Sequence, residues 1–338
     1  MSNNKICQKI AMIINSYRDG EFGVYDCDHV ERWVSQFEGD EQDVVLSETY
    51  KILKRNYITQ DQFIDFVDTL IDSDSVYKGD QDNYWKSVSV LDIQKNGNSQ
   101  TELNDIIKKL VFERYGVEDL VGKDSNEYIY IDDFIFSGNR LHTDMEDWIG
   151  SYAPDNCRVC IITIGWFSYG QWNTENRLKA LATKHGKNIK FVFVSFEEFR
   201  LENRLYRKDY SEAFWPTNII TNVDGYEEWL EAENFIPKYR ISNGIKNEVF
   251  SKSRREEYER IIFKYGLTIM GFSSQNSFVV KPLGYSTFRG FGFGSTVFSY
   301  RNCPNNNPLV FWWGDPSASS SHPFRKWYPL LQRKTYGF

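Results

Sequence analysis

The stretch Tyr128-Ile129-Tyr130-Ile131-Asp132-Asp133-Phe134-Ile135-Phe136-Ser137-Gly138-Asn139-Arg140 decides the fold. The apolar run from Ile129 to Phe134 predicts a buried strand, with two adjacent carboxylates at its end. A short Ser-Gly loop follows, and Leu141-His142-Thr143-Asp144-Met145-Glu146-Asp147-Trp148 reads as the opening of a helix. This order has a chemistry. The first turn of a helix carries N–H groups without an intrahelical partner and a partial positive charge. A glycine lets backbone approach an anion closely. Two carboxylates at a strand end accept hydrogen bonds from a vicinal diol. A ribose phosphate suits both halves. The plainer alternative is a strand that ends in a solvated acidic turn.

Outward from this stretch, residues 83 to about 200 alternate between strand and helix. Strands are expected at Trp85 to Ile93, Val159 to Ile164 and Ile189 to Ser195, and helices at Glu102 to Val111 and Asn173 to Lys184. Apolar strands separated by helices predict a parallel α/β sheet, whose ligands bind outside the carboxyl ends of the strands. The acidic pair is placed there, and so is the polar loop Gln94-Lys95-Asn96-Gly97-Asn98-Ser99. A lysine within glycine-rich backbone suits a diphosphate. An ordinary polar turn is the competing reading.

The acidic stretch resembles the phosphoribosyl-diphosphate (PRPP) motif of type I phosphoribosyltransferases, which runs apolar residues, two acids, two apolar residues and a small-residue loop with glycine. The resemblance implies that Asp132 and Asp133 hold the ribose hydroxyls. It implies that Phe136, Ser137, Gly138, Asn139 and Arg140 hold the 5′-phosphate, and that Lys95 with Asn96, Gly97, Asn98 and Ser99 holds the pyrophosphate. Mg2+ would arrive on the diphosphate beside Asp132 and Asp133. Two positions depart from the pattern. Phe136 stands where a small residue is usual, and Arg140 where Thr or Ser is usual, although an arginine can serve a phosphate as a charged partner.

Across nearly the whole chain the sequence is similar to the PRTase-CE family of bacterial conflict systems. The similarity rests on Glu31-Arg32-Trp33-Val34-Ser35-Gln36-Phe37, the Lys95 loop, the acidic motif, and Asn302-Cys303-Pro304-Asn305-Asn306 with Leu309 to Trp313. It implies an antiphage effector, with a retron reverse transcriptase and its msDNA, or sibling defence proteins, as partners.

The flanks differ from the centre. Residues 1–80 are expected to form a helical bundle: Ile6, Ile10, Ile13 and Tyr17 share a helical face, Asp28 is placed to cap a helix bearing Val30, Trp33, Val34 and Phe37, and Thr59 with Gln62 makes a capping box. Residues 81–200 form the α/β core. Residues 201–338 hold a helix from Arg254 to Tyr265, ended at Gly266, and then an aromatic, loop-rich tract from Tyr285 to Asn307. This tract and the neighbouring Trp312 and Trp313 have three readings: a hood that stacks a base, a structural element, or a partner surface.

Composition narrows the class. With 41% hydrophobic and 26% charged residues the chain is globular, and a net charge of -7 gives no overall basic footprint for nucleic acid. No apolar run is long enough to span a bilayer, and the polar start lacks a signal-peptide core, so a cytoplasmic location is expected. Five scattered cysteines argue against a disulfide framework, and Cys157-Arg158-Val159-Cys160 has no second pair for zinc.

Three functions remain open. One is an enzyme acting at ribose C1′ of PRPP or a nucleotide, in which Asp132, Asp133 and Lys95 carry the chemistry. Another is a nucleotide-binding regulator without turnover. The third is a scaffold subunit, monomeric or oligomeric. His142 follows the loop and has two readings, a general base or a helix-surface histidine.

Overall fold

A computed structural model describes residues 3–95, 99–203, 210–241, 249–273 and 277–333. The chain packs as two units: Met1–Gln60 with Glu202–Phe338, and Asp61–Leu201 set between them in sequence. The boundaries expected at 80/81 and 200/201 therefore fall at 60/61 and 201/202, and the N-terminal helices share a unit with the C-terminal region. The cause is burial. The Trp33 indole donates to the Val310 carbonyl at 2.9 Å, and the Tyr17 hydroxyl donates to the Gln332 carbonyl at 3.0 Å.

The first unit contains α1 (Asn3–Ile14), α2 (Cys27–Val34), α3 (Gln42–Asn56), β1 (Tyr57–Ile58), α9 (Tyr226–Glu233), α10 (Arg255–Met270), β7 (Phe298–Ser299) and α11 (Leu309–Trp312). Ile6, Ile10, Val30, Trp33 and Leu53 join Ile261, Ile262, Phe298, Phe311 and Leu330 in one core. The α2 cap is Asp26, whose side chain accepts from the His29 N–H, and not Asp28. The helix expected to stop at Gly266 runs on to Met270. Gly266 serves another purpose, since a Cβ there would stand 2.6 Å from the Pro282 carbonyl oxygen. On the buried side of this helix, Glu259 accepts from Arg255 one turn earlier and from Arg240, and all three side chains are at most 1% exposed.

The second unit contains α4 (Gln60–Ile71), α5 (Gln81–Ser87), β2 (Ser89–Val90), α6 (Ser99–Tyr115), β3 (Glu127–Ile135), α7 (Asn139–Ser151), β4 (Asn156–Phe167), α8 (Ser168–Lys184), β5 (Asn188–Val194) and β6 (Arg200–Leu201). The sheet order is β2-β3-β4-β5, with β6 beside β4, and every pairing is parallel. This is the α/β architecture expected from the sequence. On one face Tyr128, Tyr130, Val159 and Ile161 pack with Leu141, Met145 and Trp148 of α7 and Leu178 and Leu181 of α8.

The strand expected from Trp85 to Ile93 is mostly not one. Asp80 caps α5 by accepting from the Asp82 N–H, and buried Trp85 lies on that helix with its indole on the Ile71 carbonyl. Only Ser89–Val90 pairs with β3. Cys157 and Cys160 stand three residues apart on β4 and so face opposite sides of the sheet. They are not a chelating pair. Among the described residues no helix is long and apolar enough to cross a membrane.

Candidate functional site

Strand β3 does not end at the acids. It continues through Ile135, with Asp132 paired to Thr163, Phe134 to Gly165 and Ile135 to Trp166. The two carboxylates bend the local pattern. The Asp133 N–H donates to Asp132 Oδ1 at 2.9 Å, and the Phe134 N–H donates to Asp133 Oδ1 at 2.8 Å. Tyr128, Tyr130 and Ile135 lie in one core cluster, although strict alternation would put Ile135 on the other face. The strand therefore changes phase at the acids.

Asp132 is only 5% exposed and Asp133 is half-buried. Burial, and secondarily the neighbouring Asp133 charge, raises the Asp132 carboxyl to about 7, while Arg140 pulls the other way. Opposite it, the buried Thr163 hydroxyl has no hydrogen-bond partner among the described residues.

The loop after β3 is locked from the side by α8. Gly138 has φ +75° and caps α7 in the left-handed region. A Cβ there would stand 1.5 Å from Thr174 Oγ1. A Cβ on Gly170 would stand 1.7 Å from the Phe136 carbonyl oxygen. Arg177 donates to Asn139 Oδ1 at 2.7 Å, and Thr174 Oγ1 donates to the Gly170 carbonyl. Phe136 packs its ring against Phe134 and Phe167, which explains why this position is not small. Ser137 Oγ accepts from the Asn139 N–H at 3.4 Å. Arg140 is exposed on the first turn of α7.

The two loops singled out in the sequence meet at α7. The Lys95 N–H donates to Asp144 Oδ1 at 3.4 Å, and Lys95 Nζ pairs with Asp147 at 2.7 Å. That pairing raises the Lys95 pKa. Gln100 fastens the same loop by accepting from the Ile93 and Gln94 N–H groups. Asn96, Gly97 and Asn98 lie outside the described residues, and Ser99 opens α6.

Sequence reasoning missed Asp144. It is buried on α7, accepts from the Tyr130 hydroxyl at 3.1 Å, and burial raises its pKa. The same burial, with Asp132 and Asp144 nearby, holds the Tyr130 pKa well above its ordinary value. A signal existed: Asp144 falls on the Leu141–Trp148 stripe, where an apolar residue is expected. His142 is half-buried, and burial lowers its pKa.

Trp312 and Trp313 are corrected. Both belong to the first unit and are 7% exposed. Trp312 donates to the Asn307 carbonyl and packs against Tyr285, while Trp313 packs against Phe324. Neither offers an open face for a base. The aromatic tract is likewise core in part, since Phe291 contacts Trp229, Phe235, Tyr239 and Phe263. The Asn302–Asn306 tract is a latch: the Cys303 N–H donates to the Tyr17 hydroxyl, and Asn306 donates to the Tyr285 carbonyl.

Mg2+ fits this site only as a passenger of the ligand. Asp132 is buried and raised, which leaves half-buried Asp133 as the accessible carboxylate. Magnesium is commonly held by one or two carboxylates together with substrate phosphates.

The family model of PRTase-CE matches residues 30–333. No curated protein and no solved structure matches the chain.

Proposed function

The chain belongs to the PRTase-CE family and is phosphoribosyltransferase-like, and from that premise we propose that its second unit binds PRPP or a related ribosyl phosphate with Mg2+ and acts at ribose C1′. One observation carries the reading: the glycine-headed loop at the start of α7 is clamped by α8 directly after the buried Asp132. A loop held in this way is pre-organised for an anion, and preorganisation accounts for much of the stabilisation of developing charge.

Asp133 accepts hydrogen bonds from the ribose hydroxyls, and Asp132 fixes the strand turn that presents it. Arg140 replaces the usual hydroxyl as a phosphate partner. Lys95 reaches the diphosphate once it exchanges Asp147 for the ligand. Bound Mg2+ supplies charge neutralisation on the leaving pyrophosphate. The family resemblance supports a role as an antiphage effector, with a retron reverse transcriptase–msDNA or sibling defence proteins as partners. A second reading, nucleotide binding without turnover, is favoured by the Lys95–Asp147 pairing, which occupies the diphosphate cation.

The test is calorimetric titration of Mg-PRPP into the wild type and into Asp132→Asn/Asp133→Asn, followed by assay of pyrophosphate release. Binding lost in the double variant, with turnover, supports the enzyme. The same binding without turnover supports the regulator. Equal binding by both proteins removes the acidic pair from the site.

A further inference from the structure

A second cluster belongs to the first unit and shares no residue with the ribosyl-phosphate reading. Cys7 on α1 and Cys27 and Glu31 on α2 bring two Sγ atoms and a carboxylate oxygen within 4.8 Å of one another. Cys27 and Glu31 stand four residues apart, one helical turn, so their side chains share a face. Cys27 Sγ is 3.6 Å from Glu31 Oε1. Two tetrahedral ligands at ~2.3 Å for a thiolate and ~2.1 Å for a carboxylate lie about 3.6 Å apart around one zinc ion. The Cys27–Glu31 pair already stands at this spacing, and Cys7 Sγ lies within 4.8 Å of both.

A fourth donor is at hand. The Asn4 side-chain amide is 3.9 Å from Cys27 Sγ and 3.1 Å from Glu31 Oε1. Rotation of an amide by half a turn exchanges its oxygen and nitrogen. Its oxygen, or a water in its place, completes a tetrahedron. Access is graded: Cys7 is buried, Cys27 half-buried and Glu31 exposed, so an ion enters from the Glu31 side.

We propose that Cys7, Cys27 and Glu31 form a site for a thiophilic divalent cation of zinc type, which ties α1 to α2. Two thiolates select zinc-like ions over magnesium or calcium. Binding breaks two S–H bonds and releases two protons to solvent. The three negative ligands then face the two positive charges of the ion.

Cobalt(II) is the probe, titrated into the full chain kept reduced with a phosphine, followed by displacement with zinc. Sulfur-to-cobalt charge-transfer absorption should saturate at one ion per chain and vanish on adding zinc. Cys27→Ser should remove most of that absorption and weaken zinc binding by more than about 100-fold, since even outer-shell losses cost 10–100-fold. Glu31→Gln, at an exposed position, should weaken it by about tenfold or more without affecting the metal-free fold. Cys157→Ser should change nothing. Absence of the sulfur-to-cobalt band in the wild type would overturn the proposal, and so would undiminished zinc affinity in both Cys27→Ser and Glu31→Gln.

Discussion

Asp132→Asn should stabilise the protein, and more so as pH rises. The side chain is buried, and its carboxyl is raised from 3.8 to about 7. The sign follows from linkage. The folded chain holds this proton more tightly than the unfolded chain, so the contribution is fully present below 3.8 and is lost as pH rises through 7. At about 1.36 kcal/mol per tenfold change in proton affinity, the complete loss is about 4 kcal/mol. Roughly 1.6 kcal/mol of this has developed by pH 5, leaving about 3 kcal/mol to appear by pH 8.5. Asparagine is neutral throughout, nearly isosteric, and keeps an oxygen for the Asp133 N–H. Urea unfolding of both proteins at pH 5 and pH 8.5 measures the difference. The variant should gain about 3 kcal/mol on the wild type between the two conditions. Parallel pH profiles would refute the reasoning, because they would mean that Asp132 ionises in the fold as easily as in the unfolded chain. A variant that is more stable yet binds Mg-PRPP less well would also separate lost binding from lost folding.

Three further outcomes follow from packing. Gly138→Ala should destabilise by about 2 kcal/mol or more, from the left-handed backbone and the Thr174 clash together, and Thr174→Ala should restore part of it in a double-mutant cycle by denaturation. Glu259→Gln strips the carboxylate from two buried arginines and should cost about 3–5 kcal/mol by the same assay, with a loss under about 1 kcal/mol contradicting the buried cluster. Gly266→Ala should lower the melting temperature, although the same change in an exposed helix stabilises by about 1 kcal/mol, because the new methyl meets the Pro282 backbone.

The centre of the fold was legible because its signals are local. Apolar runs mark β3, β4 and β5, and Gly138 marks the loop that heads α7. Errors arose where one residue type serves two purposes. Gly266 reads as a helix stop because glycine ends helices, yet here it admits a neighbouring backbone. Trp85 heads a β-rich run, yet Asp80 caps a helix that includes it. Trp312 and Trp313 read as a stacking platform, but Tyr285, Asn307 and Phe324 take up their rings. The Trp33–Val310 bond spans 277 residues, and no periodicity records such a contact. Cys7, Cys27 and Glu31 carry no motif spacing, so only the packing of α1 on α2 reveals them.

The insertion of Asp61–Leu201 within the first unit sets an order of events on the ribosome. The first sixty residues emerge with apolar faces whose partners have not been made. The inserted unit is continuous and can close as soon as β5 and β6 clear the exit tunnel. At ~5–20 residues per second, α1 to α3 wait on the order of ten to thirty seconds before the strands and helices that cover them begin to appear. Newly made chains thus expose Trp33, whose partners Val310 and Phe311 come late, and a chaperone that captures nascent protein should bind there rather than on the sheet.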